Sequence, residues 1–169
     1  MLTDMQSYTG ISSDSGRWLA IPLRLIVGYG FVAHGYAKLI HGPAHFAAIL
    51  NALGVPAPGL AAWLTILTEL VGGASVLLGA YVELASIPMA VVLLSAMFTV
   101  HLRYGFSSIK LQAVTAAGAQ FGPPGYEVDL LYLACLGAMV LGGPGPFAIG
   151  GTLWRRENQA HAQVASRSH

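Results

Sequence analysis

Four apolar stretches, each close to the length a helix needs to cross a bilayer, dominate this chain and decide what it can fold into. A hydrocarbon core about 30 Å thick is crossed by about 20 helical residues. The stretches run from about Trp18 to Ile40, Leu60 to Tyr81, Leu84 to Leu102 and Asp129 to Leu141. The fourth is the shortest and extends backward through Tyr126 and Glu127, which an interface tolerates because rings and long charged side chains can reach water there.

Composition supports lipid as the main solvent. Of 169 residues, 55% are hydrophobic and 9% charged, against roughly 25% charged in a soluble domain. A net charge of +1 offers no basic patch, so nucleic acid is not an expected partner. The single cysteine, Cys135, lies in an apolar run and permits neither a disulfide framework nor a cysteine metal site within one chain. Residues 1–17 carry Asp4 and Asp14 ahead of Arg17, lack the positive start of a secretory signal, and read as a polar tail. Residues 148–169 are expected to form a polar, disordered C-terminal tail. Residues 18–147 would then be the membrane domain.

The connections are short or broken by proline. Between the first two stretches, Pro43, Pro56 and Pro58 surround an apolar segment, His45 to Leu53, too short to span; it should lie at the interface or re-enter. Little more than Tyr81 to Glu83 joins the second and third stretches, which forces an antiparallel hairpin. The next linker holds Gly105, Gly122, Pro123, Pro124 and Gly125, and its part from Ile109 to Ala117 is expected as a short surface helix. The predicted architecture is an all-α membrane protein: a four-transmembrane-helix bundle with a short interfacial helix between helices 1 and 2. Arg17, Arg24, Arg155, Arg156 and Arg167 lie on the terminal side, against Lys38, Arg103 and Lys110 on the other. That balance puts both termini in the cytoplasm of a multi-pass inner (plasma) membrane protein.

Ionisable residues inside these stretches need a partner or a purpose, because a charge at the centre of a membrane helix costs at least about 2.5 kcal/mol. Arg24, His34, Lys38, Glu69 and His101 are the candidates. Glu69 lies deepest, about 14 Å into the second span at 1.5 Å per residue. Arg24, Gly28, Phe31, Gly35 and Lys38 fall on one stripe of the first helix. An Arg24 to Glu69 ion pair is predicted; the alternative has Arg24 reaching the interface and Glu69 protonated. His34 and His101 fall at one depth, about 24 Å from the cytoplasmic side. Lys38, Glu127 and Asp129 would complete a polar cluster near the outer interface. Structural roles, a quinone or other small-molecule site, and last haem ligation all fit this chemistry. No catalytic residue or metal site is expected: there is no G-x-G-x-x-G, P-loop, H-E-x-x-H or nucleophile elbow.

Read in order, RLIVGYGFVAHGYAKL, LNALGVPAP, TELVGGASVLLG, HLRYGF, GYEVDLLYL and GPG resemble the DoxX family of small membrane proteins. The resemblance covers roughly residues 20 to 147. It implies a four-helix membrane bundle, and a function among several. Some relatives form the membrane subunit of a thiosulfate:quinone oxidoreductase; others resemble scaffolds that hold soluble antioxidant or sulfur-transfer enzymes at the membrane. Many relatives close with a serine and an aspartate after the GPG, where this chain reads GPGPFAIGG. The expectation is a membrane subunit or anchor of a quinone-linked redox or sulfur-metabolising complex. Its polar or quinone site would draw on Arg24, His34, Lys38, Glu69, His101 and Glu127, and its partner would be a soluble redox or sulfur-transfer enzyme. A proton-carrying transporter, a scaffold without chemistry of its own, and a homo-oligomer stay open.

Overall fold

A computed structural model describes residues 17–149. Of the tails expected at 1–17 and 148–169, residues 1–16 and 150–169 lie outside the described residues. Among the described residues, five helices and one β-hairpin follow in order: α1 (Ala20–Ile40), α2 (Pro43–Ala52), α3 (Pro58–Leu78), α4 (Val82–Tyr104), β1 (Leu111–Thr115), β2 (Gly118–Phe121) and α5 (Glu127–Gly142). Each of the four apolar stretches has become one of the long helices, and the proline-flanked segment has become α2. Proline stands at the first turn of both α2 and α3, where its missing N–H costs nothing.

α3 and α4 are each long and apolar enough to cross a membrane, with mean hydropathies of 1.7 and 1.9. α1 has 21 residues but carries Arg24 and Lys38, and α5 has 16. The expected all-α fold is corrected in one place. Where a short surface helix was expected from Ile109 to Ala117, the chain forms the antiparallel β1–β2 ribbon. Val114 and Thr115 are β-branched and favour extended backbone, and Gly118 at φ +118° supplies the turn conformation that an L side chain rarely adopts.

α1 packs antiparallel to α3, and also against α5; α4 packs on α3 and α5, and α2 lies over the start of α3. The tightest crossing is glycine on glycine. A Cβ on Gly28 would stand 2.8 Å from the Gly73 carbonyl oxygen, and a Cβ on Gly73 would meet the Gly28 oxygen at the same distance. Backbones approach this closely only where side chains are absent. The core between the helices holds Val27, Phe31, Val76, Met89, Leu136 and Met139.

The surface is the reverse of a soluble protein's. Trp63, Leu64, Leu67, Val71, Leu84, Ile87, Val91 and Phe98 face outward, while Arg24, Glu69, Ser86 and Asp129 are buried. An exposed apolar belt of this extent has no stable place in water. Inside a bilayer it is the expected outer face.

In two places a helix widens into a π turn: Thr68–Gly72 within α3 and Met97–His101 within α4. Each wide turn contains one of the ionisable residues singled out above, Glu69 in the first and His101 in the second.

Candidate functional site

The buried charges separate into two sets. At the end of the bundle where α3 stops, Arg24 is 6% exposed and donates only to backbone oxygens. Its Nε reaches Val76 O at 3.1 Å, one terminal nitrogen reaches Leu77 O at 2.6 Å, and the other reaches Pro144 O at 3.2 Å and Pro146 O at 3.1 Å. Val76 and Leu77 belong to the last turn of α3, whose carbonyls have no partner within the helix and carry its negative dipole end. Arg24 therefore closes α3 and ties the GPGP segment to it. Gly79, in the left-handed conformation at φ +65°, makes room: a Cβ there would sit 2.7 Å from the guanidinium carbon.

The predicted Arg24 to Glu69 pair does not form, because Arg24 stands level with the end of α3 while Glu69 lies two turns further in. Glu69 is bound instead from the opposite direction. Lys38 Nζ donates to both carboxylate oxygens, at 2.7 and 2.8 Å. The Glu69 side chain is 7% exposed and that of Lys38 24%, so the lysine bridges a buried acid to the end of the bundle where α1 meets α2. Phe46 of α2 covers the ammonium, with the ring centroid 5.3 Å from Nζ. Beside the pair, Ala37, His41, His45, Phe46 and Ile49 line an open recess of ≈ 230 Å³.

Across α1 lies a second acid–base pair. His101 Nδ1 is 2.6 Å from Asp129 Oδ2, and Asp129 is buried at 5% exposure. A carboxylate held on one ring nitrogen fixes the orientation of the imidazole and leaves the other nitrogen to exchange a proton. Asp129 was expected only as a charge in an outer cluster; its position within the apolar run VDLLYL was the signal that it turns inward.

Both pairs flank one stretch of α1. Gly35 rests on Glu69, and a Cβ there would lie 2.9 Å from the Glu69 Cβ. Phe31 meets Tyr132 edge-on with centroids 5.8 Å apart, and Gly30 accommodates the Tyr132 hydroxyl. Asp129 precedes Tyr132 by three residues, about 4.5 Å of rise, so both acids border α1 between Gly30 and Gly35. His34, in the same stretch, is exposed and lies within electrostatic reach of Glu69.

Glu127 stands apart from this group. Its carboxylate accepts the Ser108 backbone N–H at 2.9 Å and pins the linker that leaves α4. Of the six residues read from the sequence, the structure pairs Lys38 with Glu69, places His34 within electrostatic reach of that acid, binds His101 to Asp129, and leaves Arg24 and Glu127 in backbone-holding roles. Among the described residues, no group of three or more His, Cys, Asp and Glu is placed to hold a metal ion.

A family model described as DoxX matches residues 19–102, from the start of α1 to the second wide turn. The chain belongs to the DoxX family. The DoxX match spans Arg24, His34, Lys38, Glu69 and His101 and ends before Asp129. No curated protein and no solved structure matches the chain. As a DoxX protein with two helices fit to cross a bilayer, it is a membrane protein whose belt faces lipid.

Proposed function

We propose that this chain is the membrane subunit or anchor of a quinone-linked redox or sulfur-metabolising complex, with quinone headgroups exchanging protons along α1 between Gly30 and Lys38. The observation that carries the reading is the placement of two buried carboxylates, each with a basic partner, on either side of that stretch beneath an apolar surface. A quinone couples electron transfer to proton uptake and reaches its protein through the hydrocarbon. The residues suit it: the Lys38 ammonium and the imidazoles of His34 and His101 offer donors to ring oxygens, and Glu69 and Asp129 can hold or pass on protons. The electrons come from a soluble redox or sulfur-transfer protein docked at one end of the bundle.

In this reading α1, α3, α4 and α5 all span an inner membrane as a bundle, α2 lies in the interface, and both termini face the cytoplasm. The polar stretch then opens toward the opposite leaflet.

The test is to purify the full chain from its native membrane in mild detergent and identify what accompanies it, alongside Glu69→Gln and Asp129→Asn variants. The expected result is a stoichiometric soluble redox or sulfur-transfer protein, with quinone-dependent turnover of that complex reduced at least tenfold in each variant. Recovery of the partner with unchanged turnover would leave a scaffold, whose ion pairs serve only to fix helix register. Repeated absence of any partner, with proton-coupled uptake by the chain in liposomes, would favour a transporter.

A further inference from the structure

The β1–β2 ribbon has one apolar face, and a bulge makes it so. Leu111 pairs with Phe121, Ala113 with Gln120, Val114 with Ala119 and Thr115 with Gly118, with the register shifting between Leu111 and Ala113. Cross-strand partners share a face, and residues two apart on an unbulged strand share one too. Ala119 and Phe121 therefore define one face, and their partners Leu111 and Val114 join them. Without the extra residue, strict alternation would set Val114 on the face opposite Leu111. The other face carries Ala113, Gln120, Thr115 and Gly118.

Nothing among the described residues covers the apolar face. Leu111 and Phe121 are each 59% exposed and Val114 76%. A lone two-stranded ribbon is marginal in water and needs a surface to lie on. Its base is not loosely tethered. Gly125 N–H donates to Ser107 O at 3.0 Å, Tyr126 N–H to Gly105 O at 3.1 Å and Glu127 N–H to Phe106 O at 3.0 Å. The ribbon thus leaves the bundle in a fixed direction. Phe98 and Leu102 of α4 and Phe106 and Ile109 of the linker are exposed as well.

Charge indicates what that surface is. From Leu102 to Tyr126 there is no acidic residue, while Arg103 and Lys110 both pack against the Tyr104 ring, at 4.9 and 5.9 Å from its centroid. Cations beside an aromatic ring next to an apolar face match the headgroup boundary of a leaflet containing anionic lipid. The ribbon's outer edges carry unpaired backbone groups that must stay hydrated, which keeps it out of the hydrocarbon core. We infer that the ribbon is an interfacial anchor, lying with Leu111, Val114, Ala119 and Phe121 toward the acyl chains and Arg103 and Lys110 among anionic headgroups. This stands independently of the quinone reading.

Val114 and Thr115 are adjacent in sequence and on opposite faces, which makes them the reporters. In full-length protein with Cys135→Ser, spin labels at Val114→Cys and at Thr115→Cys would be compared in vesicles of phosphatidylcholine and phosphatidylglycerol. Collisions with oxygen report lipid and collisions with a soluble nickel chelate report water. The expected result is a label at position 114 relaxed mainly by oxygen and one at 115 mainly by nickel, with Lys110→Glu raising nickel access at 114 severalfold. Nickel access at both positions would show a ribbon standing in water, and shielding of 114 from both reagents would show a protein partner or a second copy. Either outcome overturns the anchor.

Discussion

Gly35 lies so close to Glu69 that the two residues leave no space for a methyl group between them. That contact is what brings α1 against the wide turn of α3 and lets Lys38, one turn further along, reach the carboxylate. Gly35→Ala should force the helices apart and cost on the order of 1–3 kcal/mol, the range for overpacking a close interior contact. Thermal unfolding in detergent would register it as a lower midpoint, and an unchanged midpoint would show that the crossing is looser than described.

The Lys38 and Glu69 pair should respond unequally to removal of its two halves. Lys38→Met strands a carboxylate at 7% exposure, whereas Glu69→Gln leaves a lysine that keeps 24% exposure and can turn toward the interface. Breaking a buried pair costs about 3–5 kcal/mol, so Lys38→Met should approach that range and Glu69→Gln fall well short of it. The double variant Lys38→Met with Glu69→Gln should recover most of the loss. Equal single losses that simply add in the double variant would contradict a coupled pair.

Arg24 should not tolerate lysine. Its hydrogen bonds run to four carbonyls in two separate segments, and a lysine ammonium, with three donors at one point, cannot span them. Arg24→Lys is expected to release the GPGP segment, seen as faster proteolysis near Pro144 and Pro146, with a stability loss of about 2 kcal/mol for the forfeited charge-assisted bonds. Protease resistance equal to the parent would show that the segment is held by other contacts.

Ala57 precedes α3 in the left-handed conformation, at φ +48°. An L side chain there costs roughly 1–2 kcal/mol, so Ala57→Gly should raise the unfolding midpoint, by less than that cost because glycine also gains freedom in the unfolded chain. A lowered midpoint would show that the alanine methyl makes a compensating contact.

The helices were readable because lipid-facing segments declare themselves as long apolar runs: the expected Trp18 to Ile40 became Ala20–Ile40, and Leu84 to Leu102 became Val82–Tyr104. The ribbon was not, since an alanine-rich linker carries helical propensity and its bulged register depends on pairing partners that a linear reading does not join. Reading Arg24 against Glu69 failed for a different reason. Matching charges by depth overlooks backbone carbonyls, which at the end of α3 satisfy a guanidinium as fully as a carboxylate would. The π turns around Glu69 and His101 add a second obstacle, because one extra residue in a turn rotates everything beyond it by roughly 100° relative to an ideal helix. Facing is what such a reading loses first: His101 is bound to Asp129 and His34 faces outward.

The inward-facing charges also set an order for biogenesis. α1 emerges first from the ribosome with Arg24 and Lys38, and both of its partners, the last carbonyls of α3 and Glu69, are made some 30 to 50 residues later. Alone in hydrocarbon, α1 would carry two uncompensated cations. α1 is therefore satisfied only once α3 has been made, when the Glu69 carboxylate meets Lys38 and the carbonyls of Val76 and Leu77 meet Arg24.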